Sequence, residues 1–461
     1  MLTSDDDNHH RALVKKQLQA GKINYLFVVD LFNEGVDIPE VDTILFLRPT
    51  ESATVFLQQF GRGLRLHKGK DHLTVLDFVG HSRAEFSYKD RFEALIGRHS
   101  RNIREEIEGD FTNAPFGCKI VLEEKAKEEI LANIDGYLRS LNRSRIVKEI
   151  AAYHKVCNGQ FSLKGFLAYS HIPFHKIYGS LTWGEMCQMA GVRSKVSAHS
   201  AQIKFAVTKK WLATDSFSYF TQLLQFVESG FRCDTHTFSE QQKRCAVMLY
   251  YDLYDKAGTY ASIEEMFCDL ASDQLFIQEL REVVDYLRDR CSAPEKEDNS
   301  VYKEWNPLRL HGVYSKAQIQ AALGLSTIHR KSTSREGMER LKDIKLEAMY
   351  VDIIKKREEG SMTAYKDYAQ NREFFHWETQ NRVREGSREA EAYRNGENNM
   401  LLFVRQQVEH PDYGCRMGFT YLGQVTMKSI EGSKPMQIVW QLNTPMSEAT
   451  YAFASQYKAI G

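Results

Sequence analysis

The stretch "FLQQFGRGLRL" spans Phe56–Leu66 and reads as a helix carrying Gln58, Arg62 and Arg65. The spacing i, i+4, i+7 puts these three side chains on one helical face. Guanidinium groups stay charged and fork onto phosphate oxygens, so two on one face suit a polyphosphate. Gly61 and Gly63 each cost a helix roughly 1 kcal/mol against alanine, which is reasonable if another backbone or a ligand must come close. By itself such an arginine pair is far more often the mark of a solvated, ordinary helix. Its meaning therefore depends on the surrounding chain.

Outward from this helix, the first ninety-odd residues read as α/β. "RALVKKQLQAG" (Arg11–Gly21) has helical periodicity and a glycine stop. The short apolar runs "INYLFVV" (Ile23–Val29), "VDTILFLR" (Val41–Arg48) and "LTVLDFVG" (Leu73–Gly80) read as buried strands. Their alternation with helical material predicts a parallel sheet with covered faces. Between the first two runs lies "LFNEGVDIPE", a polar loop with Gly35 and Asp37 that Pro39 ends. Loops after parallel strands are where α/β proteins bind ligands. Thr50 reads as the N-cap of the arginine helix.

"EGVDIP" (Glu34–Pro39) followed by "QQFGRGLR" (Gln58–Arg65) resembles motifs V and VI of the superfamily 2 helicases and translocases, in their second RecA-like lobe. The resemblance covers roughly Arg11–Gly80. It implies that Arg62 and Arg65 face ATP across a cleft between two lobes, with Arg65 the better arginine finger and Gln58 supporting that surface. It further implies that Gly35 and Asp37 lie in the loop coupling nucleotide to nucleic acid. The sequence departs from the family by lacking a phosphate loop of the Gly-x-x-x-x-Gly-Lys-Ser/Thr type. "HKGKDH" (His67–His72) has neither the glycine spacing nor the Ser/Thr, and an Asp-Glu box on an apolar strand is missing as well. The expectation is a chain that starts inside the second lobe, without its first strand, from a split, truncated or separately annotated gene. ATP and Mg2+ would then be bound only in the complete two-lobe protein, with a separately encoded first lobe as a partner. The chain alone would hold neither and would not hydrolyse ATP.

Composition describes an ordinary globular protein. The 461 residues carry 61 basic and 61 acidic side chains, so any nucleic-acid surface must be a local patch. Eight cysteines without a Cys-x-x-Cys pair argue against a zinc ribbon and for reduced thiols in a cytoplasm. The acidic start "MLTSDDDNHH" is unlike a signal peptide, and no apolar run is long enough to span a membrane.

Beyond residue 92 the pattern turns helical. The predicted organisation is a partial second RecA-like lobe at 1–92, an all-α connector at 93–291, a linker at 292–305 and a β-rich (α+β) accessory domain at 306–461. "LEEKAKEEILANIDGYLRSL" (Leu122–Leu141) is amphipathic. Within 144–193, short helical runs allow either a helix-turn-helix-like unit or a plain connector bundle. The charged "CSAPEKEDNSVYKEW" (Cys291–Trp305) supplies the linker, and Ser315 caps a short helix after it. The runs "AMYVDII", "LLFVRQQ", "FTYLGQV" and "MQIVWQL" read as strands. From about Tyr314 to Pro445 the chain resembles an uncharacterised domain that follows the helicase core in many bacterial proteins, often associated with nucleases or defence.

Other candidates are less specific. Arg98, Arg101 and Arg104, and Arg143 and Arg145, could grip phosphates, as could "HRKSTSRE" (His329–Glu336), although charge runs are commonly solvated faces. In "FFHWETQN" (Phe374–Asn381), Trp377 could stack on an unpaired base or lie in a barrel core, and His376, Glu378 and Asp367 could form a hydrolytic group. His171 and His175 are four apart, but Pro173 breaks the helix a metal pair would need. Two functions fit. The first is the C-terminal portion of a cytoplasmic ATP-dependent DNA helicase or translocase in bacterial repair or defence, acting on DNA rather than RNA. The alternative is a non-catalytic DNA- or partner-binding regulatory module with a vestigial helicase lobe.

Overall fold

The computed structural model describes residues 7–28, 39–47, 56, 60–61, 63–65, 67, 70–78, 88, 92, 95, 103–109, 111, 118–157, 159–170, 172–334, 337–356, 366–380, 383–456 and 459–460. The chain divides into two compact units, Met1–Asn142 and Arg143–Gly461. This division lies some way beyond residue 92, where the sequence suggested the first boundary.

In the first unit, a helix spans Asn8–Gln19, its N-terminus capped by Asp7, which accepts from the His10 amide at 2.7 Å. Strands β1 (Thr43–Phe46) and β2 (Thr74–Asp77) pair in parallel, with Leu45 opposite Leu76, as the α/β pattern required. One face of this pair carries Ile44, Phe46 and Val75. Phe46 packs on Phe56 at 5.1 Å, and Phe56 stacks on Phe60 at 6.1 Å. The other face, with Leu45, Leu47, Leu76 and Phe78, stays about half exposed. The expectation of covered faces therefore holds on one side only among the described residues. "INYLFVV" also differs from its reading: Ile23–Phe27 is not strand, and Tyr25 and Phe27 are exposed. A second cluster in this unit joins Tyr88 and Phe92 to Ile107, Phe111 and Ile130. It draws on the helices Ile103–Glu108 and Glu124–Ser140, and so spans both sides of residue 92.

The second unit starts as helices. Arg143–Val156, Leu163–Ser170, Phe174–Tyr178 and Trp183–Met189 are short, and His-Ile-Pro and Gly-Ser separate the middle ones as expected. Longer amphipathic helices continue the unit at Ser200–Lys209, Phe217–Glu228, Glu240–Leu253, Ile263–Ser272 and Gln274–Arg290. Two glutamates, Glu279 buried and Glu282 partly buried, bind this bundle together. Glu279 accepts from Tyr178 Oη at 2.9 Å and from the Gly184 amide at 3.1 Å, and Glu282 accepts from the Leu163 amide at 2.5 Å. Both thus sit at helix N-termini, where the dipole favours a negative charge.

The β-rich part is one mixed sheet with a short satellite pair. Strands β4 (Met338–Leu341), β5 (Leu346–Asp352), β7 (Tyr368–Ala369), β8 (Phe374–Glu378), β9 (Asn399–Arg405), β10 (Phe419–Gly432) and β11 (Met436–Leu442) run in the order β4-β5-β9-β10-β11-β8-β7, with β3 (Val313–Tyr314) added at β10. β5 and β9 are parallel and the other pairs antiparallel. The satellite is β6 (Lys355–Lys356) in parallel with β12 (Ala459–Ile460). The four expected strand runs lie in β5, β9, β10 and β11. Ser315 caps the helix Lys316–Ala322 through a reciprocal bond with Gln318.

The polar stretch expected as a linker is fastened down. Asp215 accepts from the amides of Ser292 and Ala293 at 2.9 and 3.2 Å. Glu295 accepts from the Ser218 amide and hydroxyl at 2.9 and 2.7 Å. Buried Asp298 takes hydrogen bonds from Ser300, Asn306 and Tyr421. The stretch reads as a linker in sequence because Asp215, Ser218 and Tyr421, which hold it, lie far away along the chain. Val313 and Asp215 also exchange backbone bonds, which joins helical and β-rich parts in one unit.

Candidate nucleotide-coupling site

The motif helix is seated by its apolar side. Phe56, Phe60, Gly61 and Gly63 are helical, Leu64 turns, and Arg65 comes after the helix end, exposed. The expected face of Gln58, Arg62 and Arg65 therefore does not extend as one helix to Arg65. Gly63 answers part of the glycine question. A Cβ there would lie 2.7 Å from Ile44 Cδ1 and 2.8 Å from Leu73 Cδ2, whereas one at Gly61 would meet nothing within 4 Å. The close approach at Gly63 is to the unit's own β1, not to a ligand.

Lys70 organises the turn beyond the helix end. Its ammonium donates to the carbonyl of Gly63, to that of Pro39 at 3.2 Å and to that of Arg65 at 3.3 Å. A lysine at the end of a helix satisfies carbonyls that have no intrahelical partner. Here it also ties Pro39 to the turn that carries Arg65. Glu40 adds a second tie, accepting from Gln19 Nε2 at 2.9 Å and lying 3.9 Å from His67 Nε2. Sequence reasoning missed both Lys70 and Glu40. In sequence, "HKGKDH" invites comparison only with a phosphate loop, and nothing in it signals a carbonyl clamp.

Gly35, Asp37, Gln58, Arg62, Arg98 and Arg101 lie outside the described residues, as do His171 and Thr50. Arg104 is on the helix Ile103–Glu108. Arg143 is exposed and Arg145 half-buried on the helix Arg143–Val156.

Trp377 is a core residue. Only 8% exposed, it meets Tyr393 edge-on at 6.1 Å and Trp440 at 6.4 Å. The stacking role is corrected accordingly, since its ring lies within a buried apolar cluster. Pleat alternation turns its neighbours His376 and Glu378 to the opposite face. His376 Nδ1 is 2.7 Å from the Lys366 carbonyl, Glu378 accepts from the Lys366 amide at 2.8 Å, and Asp367 accepts from the Glu378 amide at 2.9 Å. These three fasten the approach to β7 onto β8 instead of converging on a substrate. Among the described residues no three His, Cys, Asp or Glu side chains gather as metal ligands, and no helix is long and apolar enough to cross a membrane.

A buried carboxylate that the sequence did not reveal lies at Asp252. Its Oδ2 accepts from Trp211 Nε1 at 2.5 Å, Tyr219 Oη at 2.6 Å and Gln318 Nε2 at 3.1 Å. Burial pushes its pKa up to about 6 against the pull of these donors. Asp252 thereby joins the helical bundle to the helix Lys316–Ala322.

Comparison with known proteins matches the two ends of the chain. Residues 1–67 match the family described as helicase conserved C-terminal domain. Residues 308–454 match a domain of unknown function, DUF3427. IRC3 of Saccharomyces cerevisiae, provisionally named an ATP-dependent helicase, is 41% identical over 81 residues, 18% of this chain and 12% of that protein. UvrABC system protein B of Tropheryma whipplei is 35% identical over 77 residues, 16% of this chain and 11% of that protein. A 51.5 kDa protein of a Lactococcus phage is 35% identical over 78 residues, 16% and 17% of the two chains. The chain thus spans between 11% and 17% of the length of these curated relatives.

Proposed function

We propose that the chain supplies the nucleotide-sensing and nucleic-acid-coupling part of an ATP-dependent DNA helicase or translocase. The reading is supported by the match to a helicase C-terminal domain with DUF3427 after it, the order of the C-terminal half of a superfamily 2 helicase. Arg62 and Arg65 then hold the phosphates of ATP, Gln58 supports that surface, and Gly35 and Asp37 relay nucleotide state to DNA. Bound ATP supplies the phosphoryl group and Mg2+ its countercharge. An arginine at that position stabilises charge on the transferred group. A first helicase lobe holds the opposite side of the nucleotide.

The observation that carries the reading is the Lys70 clamp. One ammonium joins the carbonyls of Pro39, Gly63 and Arg65. Lys70 thereby ties the turn that carries Arg65 to Pro39, the last residue of "EGVDIP". Exposure of Arg65 fits contact with a ligand.

The test is reconstitution. The chain is mixed with a superfamily 2 first lobe bearing a phosphate loop, and ATP hydrolysis is measured with and without DNA. Hydrolysis is expected only in the mixture, with Arg65→Ala lowering kcat on the order of 10³-fold or more. Unchanged kcat in Arg65→Ala, or DNA-stimulated hydrolysis by the chain alone, refutes the assignment.

A further inference from the structure

His199 sits where three helices of the second unit meet, and both of its ring nitrogens are engaged. It is the residue before the helix Ser200–Lys209. Nδ1 lies 3.2 Å from Asp273 Oδ2, and Nε2 lies 3.1 Å from Asp269 Oδ2. Asp269 belongs to the helix Ile263–Ser272. Asp273 caps the helix Gln274–Arg290, accepting from the Phe276 amide at 3.0 Å. The Phe276 ring meets the imidazole edge-on at 5.3 Å, which restrains its plane. Among the described residues no other charged side chain pairs with His199, Asp269 or Asp273.

Both partners can only accept. Asp269 also takes the Tyr260 hydroxyl at 2.5 Å, which holds its carboxyl below the usual range against the pull of burial. Asp273 also takes the Ser197 hydroxyl and the Ala198 amide, each at 2.8 Å. Burial pushes the Asp273 carboxyl up, but its donors outweigh that and leave it below the usual range. Each is therefore an ionised carboxylate with no proton to give. A neutral imidazole carries one N–H and one lone pair, so it can donate to only one of them. Its other nitrogen would set a lone pair against carboxylate oxygen. Only the doubly protonated ring donates at both ends. The two arms differ in their surroundings, since the Asp273 side chain is 12% exposed and that of Asp269 is 45% exposed. A single ring proton is best kept on Nδ1, because water can replace the donor to Asp269 more readily than the donor to Asp273.

We propose that His199 is a proton-operated latch within the helical bundle. Its imidazolium ties the start of the helix Ser200–Lys209 to the helix Ile263–Ser272 and to the start of the helix Gln274–Arg290. Loss of the Nε2 proton to solvent frees the Asp269 arm and leaves the Asp273 arm in place. The latched form binds one proton more than the open form, so it is favoured at low pH and lost as pH rises. The latch is independent of the helicase reading and lies far along the chain from the helicase motifs.

The test is amide hydrogen exchange of the full chain, read by mass spectrometry from about pH 5 to pH 8, where imidazoles titrate. Rates are corrected for the intrinsic pH dependence of exchange. The opening constant of the helix Ile263–Ser272 should rise with pH, by as much as about tenfold per unit, the slope of one proton. Asp269→Asn replaces an acceptor with an amide that can donate to a bare Nε2 or accept from a protonated one. The latch then stays closed in both states, and the slope should vanish with exchange slow throughout. His199→Gln cannot donate to both carboxylates, so exchange should stay at the fast, high-pH level across the whole range. A wild-type opening constant independent of pH overturns the latch. So does a pH slope that either variant keeps.

Discussion

Replacing Asp252 with asparagine should change how stability depends on pH more than it changes the fold. The carboxylate is fully buried and its pKa is raised to about 6. In the unfolded chain the same group titrates near the usual value of about 3.9. Between those two pH values the folded protein binds more protons than the unfolded one, so stability falls as pH rises. At 1.36 kcal/mol per unit, the two-unit gap amounts to roughly 3 kcal/mol, lost between about pH 4 and pH 6. An amide cannot ionise, and its oxygen can still accept from Trp211, Tyr219 and Gln318. Its NH2 would occupy the place of Oδ1, which has no partner, a cost of about 1–3 kcal/mol at every pH. The stability difference between Asp252→Asn and wild type should therefore move by roughly 3 kcal/mol in favour of the variant from pH 4 to pH 7. Urea unfolding followed by tryptophan fluorescence measures it, and Trp211 is a reporter in direct contact. Parallel pH profiles for the two proteins would refute the reasoning.

Glu279 behaves in the same sense. Burial raises its pKa to about 7, so Glu279→Gln should flatten the loss of thermal stability that wild type shows as pH climbs from about 4.5 to 7; an unchanged profile counts against it. Lys70→Met removes the donor from three carbonyls and should destabilise the first unit by about 1–3 kcal/mol. Hydrogen exchange at β1 and at the Gly63–Arg65 turn should quicken, and equal exchange rates would show the clamp to be idle. Trp377→Ala empties a large core site and should cost about 3–5 kcal/mol by urea midpoint. If it instead weakened DNA binding at unaltered stability, the stacking role would be restored.

Local patterns carried much of the architecture. The parallel pairing of β1 with β2 comes from short apolar runs separated by helical material. The strands β5, β9, β10 and β11 come from dense β-branched and aromatic residues between turn signals. Ser315 announces its helix because capping acts over three residues. "INYLFVV" failed because composition says that a run prefers burial, not that a neighbour is present to bury it.

The candidate site was legible only at its motifs. Glycine, arginine and glutamine at fixed spacing mark the family without stating what each touches. In sequence Gly63 looks like room for a ligand, yet it is room for Ile44 and Leu73. Trp377 and the carboxylate of Glu378, adjacent in sequence, face opposite sides of β8, one into the core and one onto the main chain. A period-two strand separates neighbours in that way.

What the sequence determined by itself is the order of parts: an α/β piece with helicase motifs, a helical stretch and a β-rich end. These rest on interactions between residues three or four apart in helices and two apart in strands. Only the tertiary structure decided that Lys70 clamps two motifs and that Asp252 joins the helical bundle to the helix Lys316–Ala322. Charge and burial act through space at distances of a few ångströms, and a chain that folds back on itself sets those distances between residues scores of positions apart.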